Sequence, residues 1–380
     1  MDFDLTEDQA AYRDSVLGFA RRELAEMPAG DAGLECFRRR WRACAEFGIT
    51  GLPVPAEYGG TGADMVTVVA ALDALGLGCP DNGLLFSLNA QMWACQHPIV
   101  AFGSEPQKRA YLPRLCDGSL IAAHAMTEPG SGSDAFALST TARQSGDGYV
   151  LSGSKVFVTN GPAAGLFLVF ATTNRSRGFG GLCAFLVPAD APGLTVGPPA
   201  RKMGLDGSPM SELFLDDCAA PEDAVLGEPG MGMTIFASAM KRERSLILAT
   251  TVGTMQRSLD RCLLHARERK QFGKPIGEFQ AVASRIVDMK LRLETARLLL
   301  YRVGWLIDRG RPFDLDSALV KLHLSEAFVQ SSLDALQVHG GYGYMTENGL
   351  ERDVRDAIAS RIYSGTSDIQ RNIAAAAMGL

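Results

Sequence analysis

Twice along this chain the spacing of apolar residues changes, and those two changes limit the fold more than any composition figure. Between about residues 121 and 230, apolar side chains alternate with polar ones or fall in short runs cut by Gly, Pro, Asn and Asp, as in a compact sheet. Tyr149 to Thr159, Leu166 to Thr173, Gly181 to Pro188 and Glu212 to Leu215 read as its strands. On both sides the spacing is helical. Thr6-Glu7-Asp8-Gln9 fits a capping box opening a helix that runs to about Met27, and Trp41 to Gly48 gives a second. The Gly- and Pro-rich stretch 51–62 cannot hold a helical ladder and reads as a loop. Helical spacing resumes at Asp64, and Ser104 to Leu115 is a further helix that breaks at Asp117-Gly118. Beyond the sheet, Met231 to Arg267, Phe279 to Asp308, Asp316 to Val338 and Ser367 to Met378 all read as helices, the first three unusually long. The order is therefore helices, sheet, long-helix bundle, with boundaries expected near residues 120 and 230: 1–120, 121–230 and 231–380.

Composition narrows the partners. Lys and Arg number 37 against 43 Asp and Glu, a net charge of -6, so the basic footprint of a nucleic-acid binder is missing. No run of about 18 apolar residues occurs, and the start Met1-Asp2-Phe3-Asp4 is acidic where a secretion signal would be basic, so a cytoplasmic protein is expected. The 8 cysteines form no C-x-x-C pair and read as small buried hydrophobes. His97, His124, His265 and His323 lack metal-ligand spacing and read as structural.

Met126-Thr127-Glu128-Pro129-Gly130-Ser131-Gly132-Ser133-Asp134 exposes backbone N–H groups and hydroxyls that suit a phosphate, although such a turn also simply joins a helix to a strand. Four further segments follow: Arg269 to Gln280 (RKQFGKPIGEFQ), Gln337 to Tyr344 (QVHGGYGY), Val354-Arg355-Asp356-Ala357, and Tyr363 to Arg371 (YSGTSDIQR). With the Met126 turn, and in this order, they resemble the acyl-CoA dehydrogenase family of flavoproteins across essentially the whole chain.

The resemblance implies an N-terminal α-helical domain, a middle β domain and a C-terminal four-helix bundle enclosing FAD, in a homodimer or homotetramer whose subunits share each FAD site. It implies that Met126, Thr127, Gly132 and Ser133, with Phe157 and Thr159, lie along the flavin and its pyrophosphate, Ser133 also facing substrate. Phe157 stands where the family commonly has Trp, which keeps the aromatic plane and loses the indole donor. Arg269, Phe272, Gln280, Gln337 and Gly341 correspond to residues that reach FAD, mostly across a subunit interface, and Thr366 and Asp368 to cofactor contacts near the C-terminus. Such an inventory suits a long dianionic cofactor, which needs N–H and Arg donors at the pyrophosphate and apolar surface at the ring.

The implied reaction removes an α-proton from an acyl thioester while hydride leaves the β-carbon for flavin N5, so a carboxylate base is required. Many members carry it as the Glu of a Tyr-Glu-Gly-Thr motif, but here that position is Ser364. Isovaleryl-CoA and long-chain members instead place the base on the long helix after the β domain, directly before an Arg. Glu243 and Arg244 match those positions, with Arg244 and Ser364 toward the substrate and the Ser364 N–H kept as a donor to the thioester carbonyl. Helical spacing supports Glu243 independently, because Ala239, Met240, Leu246 and Ile247 surround it at three and four residues and should desolvate it.

Met203 to Glu212 departs from the catabolic members at Asp206 and Met210. Asn82 to Asn89, Ile286 to Glu294 and Ser360 to Asp368 are instead most similar to prolyl-carrier-protein dehydrogenases of pyrrole antibiotic pathways. The expectation is an FAD-dependent α,β-dehydrogenase of an acyl or aminoacyl thioester, carried on a carrier protein in preference to CoA, passing electrons to a flavoprotein or to oxygen. The alternatives are a short- or branched-chain acyl-CoA dehydrogenase, a flavin oxidase or monooxygenase on the same fold, and a non-catalytic flavoprotein partner. Lys241, Arg242 and Arg244 suggest a basic patch for an acidic carrier.

Overall fold

The computed structural model describes residues 4–27 and 33–380; the acidic start at residues 1–3 lies outside them. The N-terminal helices are α1 (Glu7–Glu23), α2 (Gly33–Glu46), α3 (Met65–Gly78), α4 (Asn82–Gln91), α5 (His97–Phe102) and α6 (Glu105–Cys116), with a π turn over Met92–Gln96 between α4 and α5. Thr6 and Gln9 close the expected capping box, and Asp64 and Ser104 cap α3 and α6 through their side chains. Two expectations move. The first helix stops at Glu23, short of Met27, and the second begins at Gly33, ahead of Trp41, so that Phe37, Trp41 and Cys44 share one buried face.

The sheet contains β1 (Ala122–Ala125), β2 (Thr141–Ser145), β3 (Gly148–Thr159), β4 (Leu166–Thr172), β5 (Leu182–Pro188), β6 (Leu194–Val196), β7 (Met210–Pro221) and β8 (Val225–Leu226), in the order β6-β7-β3-β2-β4-β5-β8 with β1 beside β4. Sequence spacing missed β1, β2, β6 and β8 and kept only residues 212–215 of β7, because three of the missed strands hold only two to four residues and the alternation of β7 slips at Asp216 and Asp217, both exposed. β3 and β7 pair antiparallel with register shifts between Leu151 and Gly153 and between Lys155 and Val158. The second bulge places Phe157 at φ 57°.

The long segment from Met231 to Arg267 is two helices, α7 (Gly232–Leu246) and α8 (Ala249–Glu268). Leu248, at φ -98° and ψ 12°, leaves the helical region and breaks the ladder there. A short hairpin, β9 (Lys270–Gln271) and β10 (Lys274–Pro275), leads to α9 (Gln280–Asp308), α10 (Asp314–His339), α11 (Gly341–Tyr344), α12 (Leu350–Ser360) and α13 (Ser367–Ala377). The helical regions at the two ends of the chain are not separate bodies. Phe19, Leu72, Val252, Leu293 and Leu324, from α1, α3, α8, α9 and α10, belong to one apolar core, while two smaller cores line the sheet.

α3 meets α8 backbone to backbone. A Cβ on Gly76 would lie 1.8 Å from the Thr250 carbonyl oxygen, and one on Gly253 would lie 2.0 Å from the Asp73 carbonyl oxygen. Neither obstacle can rotate away, so Gly253→Ala is expected to cost on the order of 3 kcal/mol, read as a lower denaturant midpoint. An unchanged midpoint would mean the helices separate freely.

Candidate active site

The break after α7 puts Glu243 in the last turn of that helix, where free carbonyls disfavour a negative charge. Ala239, Met240, Leu246 and Ile247 are all buried around it, and Glu243 itself is only 8% exposed. Burial pushes its carboxyl up to about 7, although a Ser364 hydrogen bond, Arg244 and Lys321 each pull it back toward ionisation. Ser364 Oγ donates to Glu243 Oε1, while Oε2 is buried with no hydrogen-bond partner among the described residues. One carboxylate oxygen is thus held and the other is free to take a proton.

Ser364 reaches Glu243 because the chain turns sharply there, with φ 55° at Ser364 and 88° at Gly365. The turn is tied by three hydrogen bonds from two side chains. Gln370 Nε2 donates to the Ser364 and Gly365 carbonyls at 3.2 and 2.9 Å, and Lys321 Nζ donates to the Gly365 carbonyl at 2.7 Å. Thr366 caps α13 through its hydroxyl, and Asp368 is exposed and paired with Arg371. Removing the Ser364 hydroxyl removes a bond that favours the ionised base. Ser364→Ala is therefore expected to keep most activity at alkaline pH and to move the midpoint of the pH–rate curve upward. A pH–rate profile identical to wild type would show that the hydroxyl does not act on the base.

The Met126 turn sits against the β3 bulge. Glu128 bonds Lys155 at 2.8 Å, Lys155 also donates to the Met126 carbonyl at 3.2 Å, and the Val156 N–H donates to the Thr127 carbonyl at 2.9 Å. Burial alone would raise Glu128, but Lys155, Ser139 and Thr140 more than offset it and hold the carboxyl down at about 2. Met126 and Thr127 are thereby held against Lys155 and Val156, next to Phe157 in the chain, and Gly132 and Ser133 follow on the same turn. Met126 is in the same apolar cluster as Cys95 of the π turn and Ile235 of α7, which joins this group to the Glu243 helix. A cavity of about 380 Å³ opens between Phe136, Arg175 and Phe179. Phe136 packs edge-on against Phe236, which precedes Glu243 by two helical turns, roughly 10 Å, on one face of α7.

Arg269, Phe272, Gln280, Gln337 and Gly341 gather elsewhere, around the β9–β10 hairpin and the α10–α11 junction, where the Arg269 guanidinium lies 5.8 Å from the Tyr342 ring. Among the described residues no hydrogen bond, ion pair or ring contact ties these five to Phe157 or Glu243. Phe272 is 94% exposed at φ 50°, and Phe157 is 71% exposed at φ 57°. A Cβ on Gly130, Gly132, Gly340 or Gly341 would meet nothing within 4 Å. Bare aromatic rings beside open, glycine-rich backbone fit a large planar cofactor with a pyrophosphate tail, so the residues present are compatible with FAD.

The three domain models of the acyl-CoA dehydrogenase family match nearly end to end: the N-terminal domain over residues 6–119, the middle domain over 123–218 and the C-terminal domain over 230–379. The chain belongs to the acyl-CoA dehydrogenase family. Within it, an L-prolyl-[peptidyl-carrier protein] dehydrogenase of Pseudomonas fluorescens is 43% identical over 377 residues, 99% of each chain. The crystal structure of the prolyl acyl carrier protein oxidase AnaB superposes with a TM-score of 0.96 at 46% identity, over 99% of this chain and all of that one. The structure of PigA with FAD and proline does so with a TM-score of 0.96 at 41% identity over the whole of both.

Two sequence readings change. Lys241, Arg242 and Arg244 are not a free basic patch, because Lys241 pairs with Asp314 at 2.7 Å and both Lys241 and Arg242 lie over the Phe313 ring. The Asp206 departure also gains a partner: Arg355 of α12 lies 3.4 Å from its carboxylate and donates to the Met203 carbonyl at 2.8 Å. Asp356 beside it accepts from the Leu205 N–H at 2.5 Å, so this loop is clamped onto α12. Nothing in the structure explains Met210. Sequence reasoning missed Lys321, the one lysine of α10, because its neighbours at three and four residues are Ser317, Ala318, Leu324 and Ser325, a half-polar set that does not mark it as the apolar neighbours mark Glu243.

Proposed function

We propose that this family member is an FAD-dependent oxidoreductase that dehydrogenates the α,β bond of an aminoacyl thioester, a prolyl group on a carrier protein, with Glu243 as base. The carrying observation is the Glu243 carboxyl: buried, pushed up to about 7, held through one oxygen and unpartnered at the other. Such a carboxyl is ionised enough at neutral pH to accept a proton and basic enough to compete for a weakly acidic one. The prolyl group and carrier are supported by the names of the relatives above, which share nearly the full length of the chain.

FAD, when bound, would supply the acceptor for the hydride equivalent lost from the β-carbon. This chain supplies the rest. The thioester enters along the α7 face that runs from Phe236 toward Glu243, and the α-proton passes to Glu243 Oε2. The Ser364 N–H donates to the thioester carbonyl as negative charge builds there. Met126, Thr127, Gly132, Ser133, Phe157 and Thr159 hold the flavin side, with Ser133 and Arg244 also toward substrate, and Thr366 and Asp368 lie at the C-terminal edge of the site. Arg269, Phe272, Gln280, Gln337 and Gly341 complete the site of a neighbouring copy, which makes the protein a homo-oligomer of chains divided near residues 120 and 230.

Anaerobic mixing with prolyl-loaded carrier protein and with a series of acyl-CoA thioesters, followed by flavin absorbance, tests this reading. The prolyl carrier is expected to bleach the flavin fastest. Equal or faster bleaching by a short acyl-CoA would assign the protein to acyl-CoA oxidation, and no bleaching by any thioester would make it a non-catalytic partner. Rapid reaction of the reduced flavin with oxygen would identify oxygen as the acceptor.

A further inference from the structure

Lys321 is fully buried on α10, an expensive place for an ammonium group. Its one side-chain hydrogen bond among the described residues, 2.7 Å to the Gly365 carbonyl, ties down the residue after Ser364, whose hydroxyl holds Glu243. The Nζ also lies 5.8 Å from the Tyr363 ring centroid, so α10 grips both sides of the turn. We propose that Lys321 is a positioning residue for the base: its ammonium group fixes the Tyr363–Ser364–Gly365 turn and sets a cation opposite the Glu243 carboxylate. This rests on Glu243 being the base.

The surroundings leave few rivals for that role. Facing Glu243 are Arg244 on its own helix, Lys321 from α10, Ser364 and Tyr363 from the turn, and Cys95 from the π turn. Of these only Arg244 and Lys321 carry positive charge, and only Lys321 also bonds the turn that carries Ser364. Glu326 and Arg244 are the other charges acting on Lys321, one favouring and one opposing its protonation. Burial lowers Lys321 to about 8 while the Glu243 charge pulls it back up, so the pair is mutually supporting near neutral pH. A buried cation removed from beside a buried carboxylate leaves the carboxylate harder to ionise.

The FAD-loaded Lys321→Met, Lys321→Arg and Glu243→Gln enzymes test this with two measurements. The first is an infrared pH titration of the protonated-carboxyl stretch, assigned by its loss in Glu243→Gln, which needs no substrate. The second is the pH dependence of anaerobic flavin reduction by prolyl-loaded carrier protein. In Lys321→Met both midpoints are expected to rise by at least about one pH unit, roughly a fivefold or greater loss of ionised base at pH 7, with the rate recovering at alkaline pH. Lys321→Arg is expected to restore most of the shift. Midpoints unchanged in Lys321→Met, or a rate lowered equally at every pH, would overturn the proposal. If Lys321→Met does not fold, Lys321→Gln, which keeps a donor but no charge, is read by the same criteria. Full flavin reduction by Glu243→Gln would overturn the base assignment instead, leaving the infrared shift as a separate result.

Discussion

Glu243→Gln is expected to slow flavin reduction by the best thioester by about 10²- to 10⁴-fold while leaving the flavin bound and its spectrum unchanged. The substitution keeps the shape of the side chain and a hydrogen bond to Ser364, so the fold around α7 is preserved and what disappears is the ability to take a proton. The wild-type rate should rise with pH through the Glu243 midpoint near 7 and level off above it, because only the ionised carboxylate accepts the α-proton. The Gln variant should show residual rate without that rise. Rapid-mixing measurements across pH 5 to 9 decide the matter, since a Gln variant within threefold of wild type would mean that another group removes the proton.

Lys155→Met is expected to destabilise the protein by about 3–5 kcal/mol. Lys155 and Glu128 are both buried beside one another, and removing the ammonium group strands a carboxylate that now bonds Lys155, Ser139 and Thr140. The double variant Lys155→Met with Glu128→Leu should recover much of the loss, as apolar replacements of buried ion pairs often do. The pH dependence has a definite sign. Glu128 is held down to about 2 from an ordinary value of 4.5, so its contribution is complete above about pH 4.5 and disappears as pH falls toward 2. Denaturant unfolding of the three forms at pH 7, and of wild type down to pH 3, provides the comparison. A loss below about 1 kcal/mol would show that the cage around Glu128 is redundant. Because the same pair anchors the Met126 turn beside the β3 bulge, the variant should also retain FAD less well.

The helices and main strands were readable because their apolar spacing records which face each element must bury, and Glu243 stood out by the same rule. Four short strands were not, since two to five residues contain too little period to tell from a loop. The break at Ile247-Leu248 was equally hidden: no Gly or Pro marks it, and it shows only in the backbone angles at Leu248.

Sequence by itself determined the order of helices, sheet and helices, the family, and the replacement of the usual base position by Ser364. These depend on local pattern and on residues at fixed spacing along the chain. Only the tertiary structure decided that the first and third regions share one core, that Lys241 is neutralised by Asp314, and that Ser364 and Lys321 meet at Glu243. Those contacts join residues 44 to 121 positions apart, or whole modules, and such distances are closed by packing rather than by any pattern that a run of neighbouring residues can display.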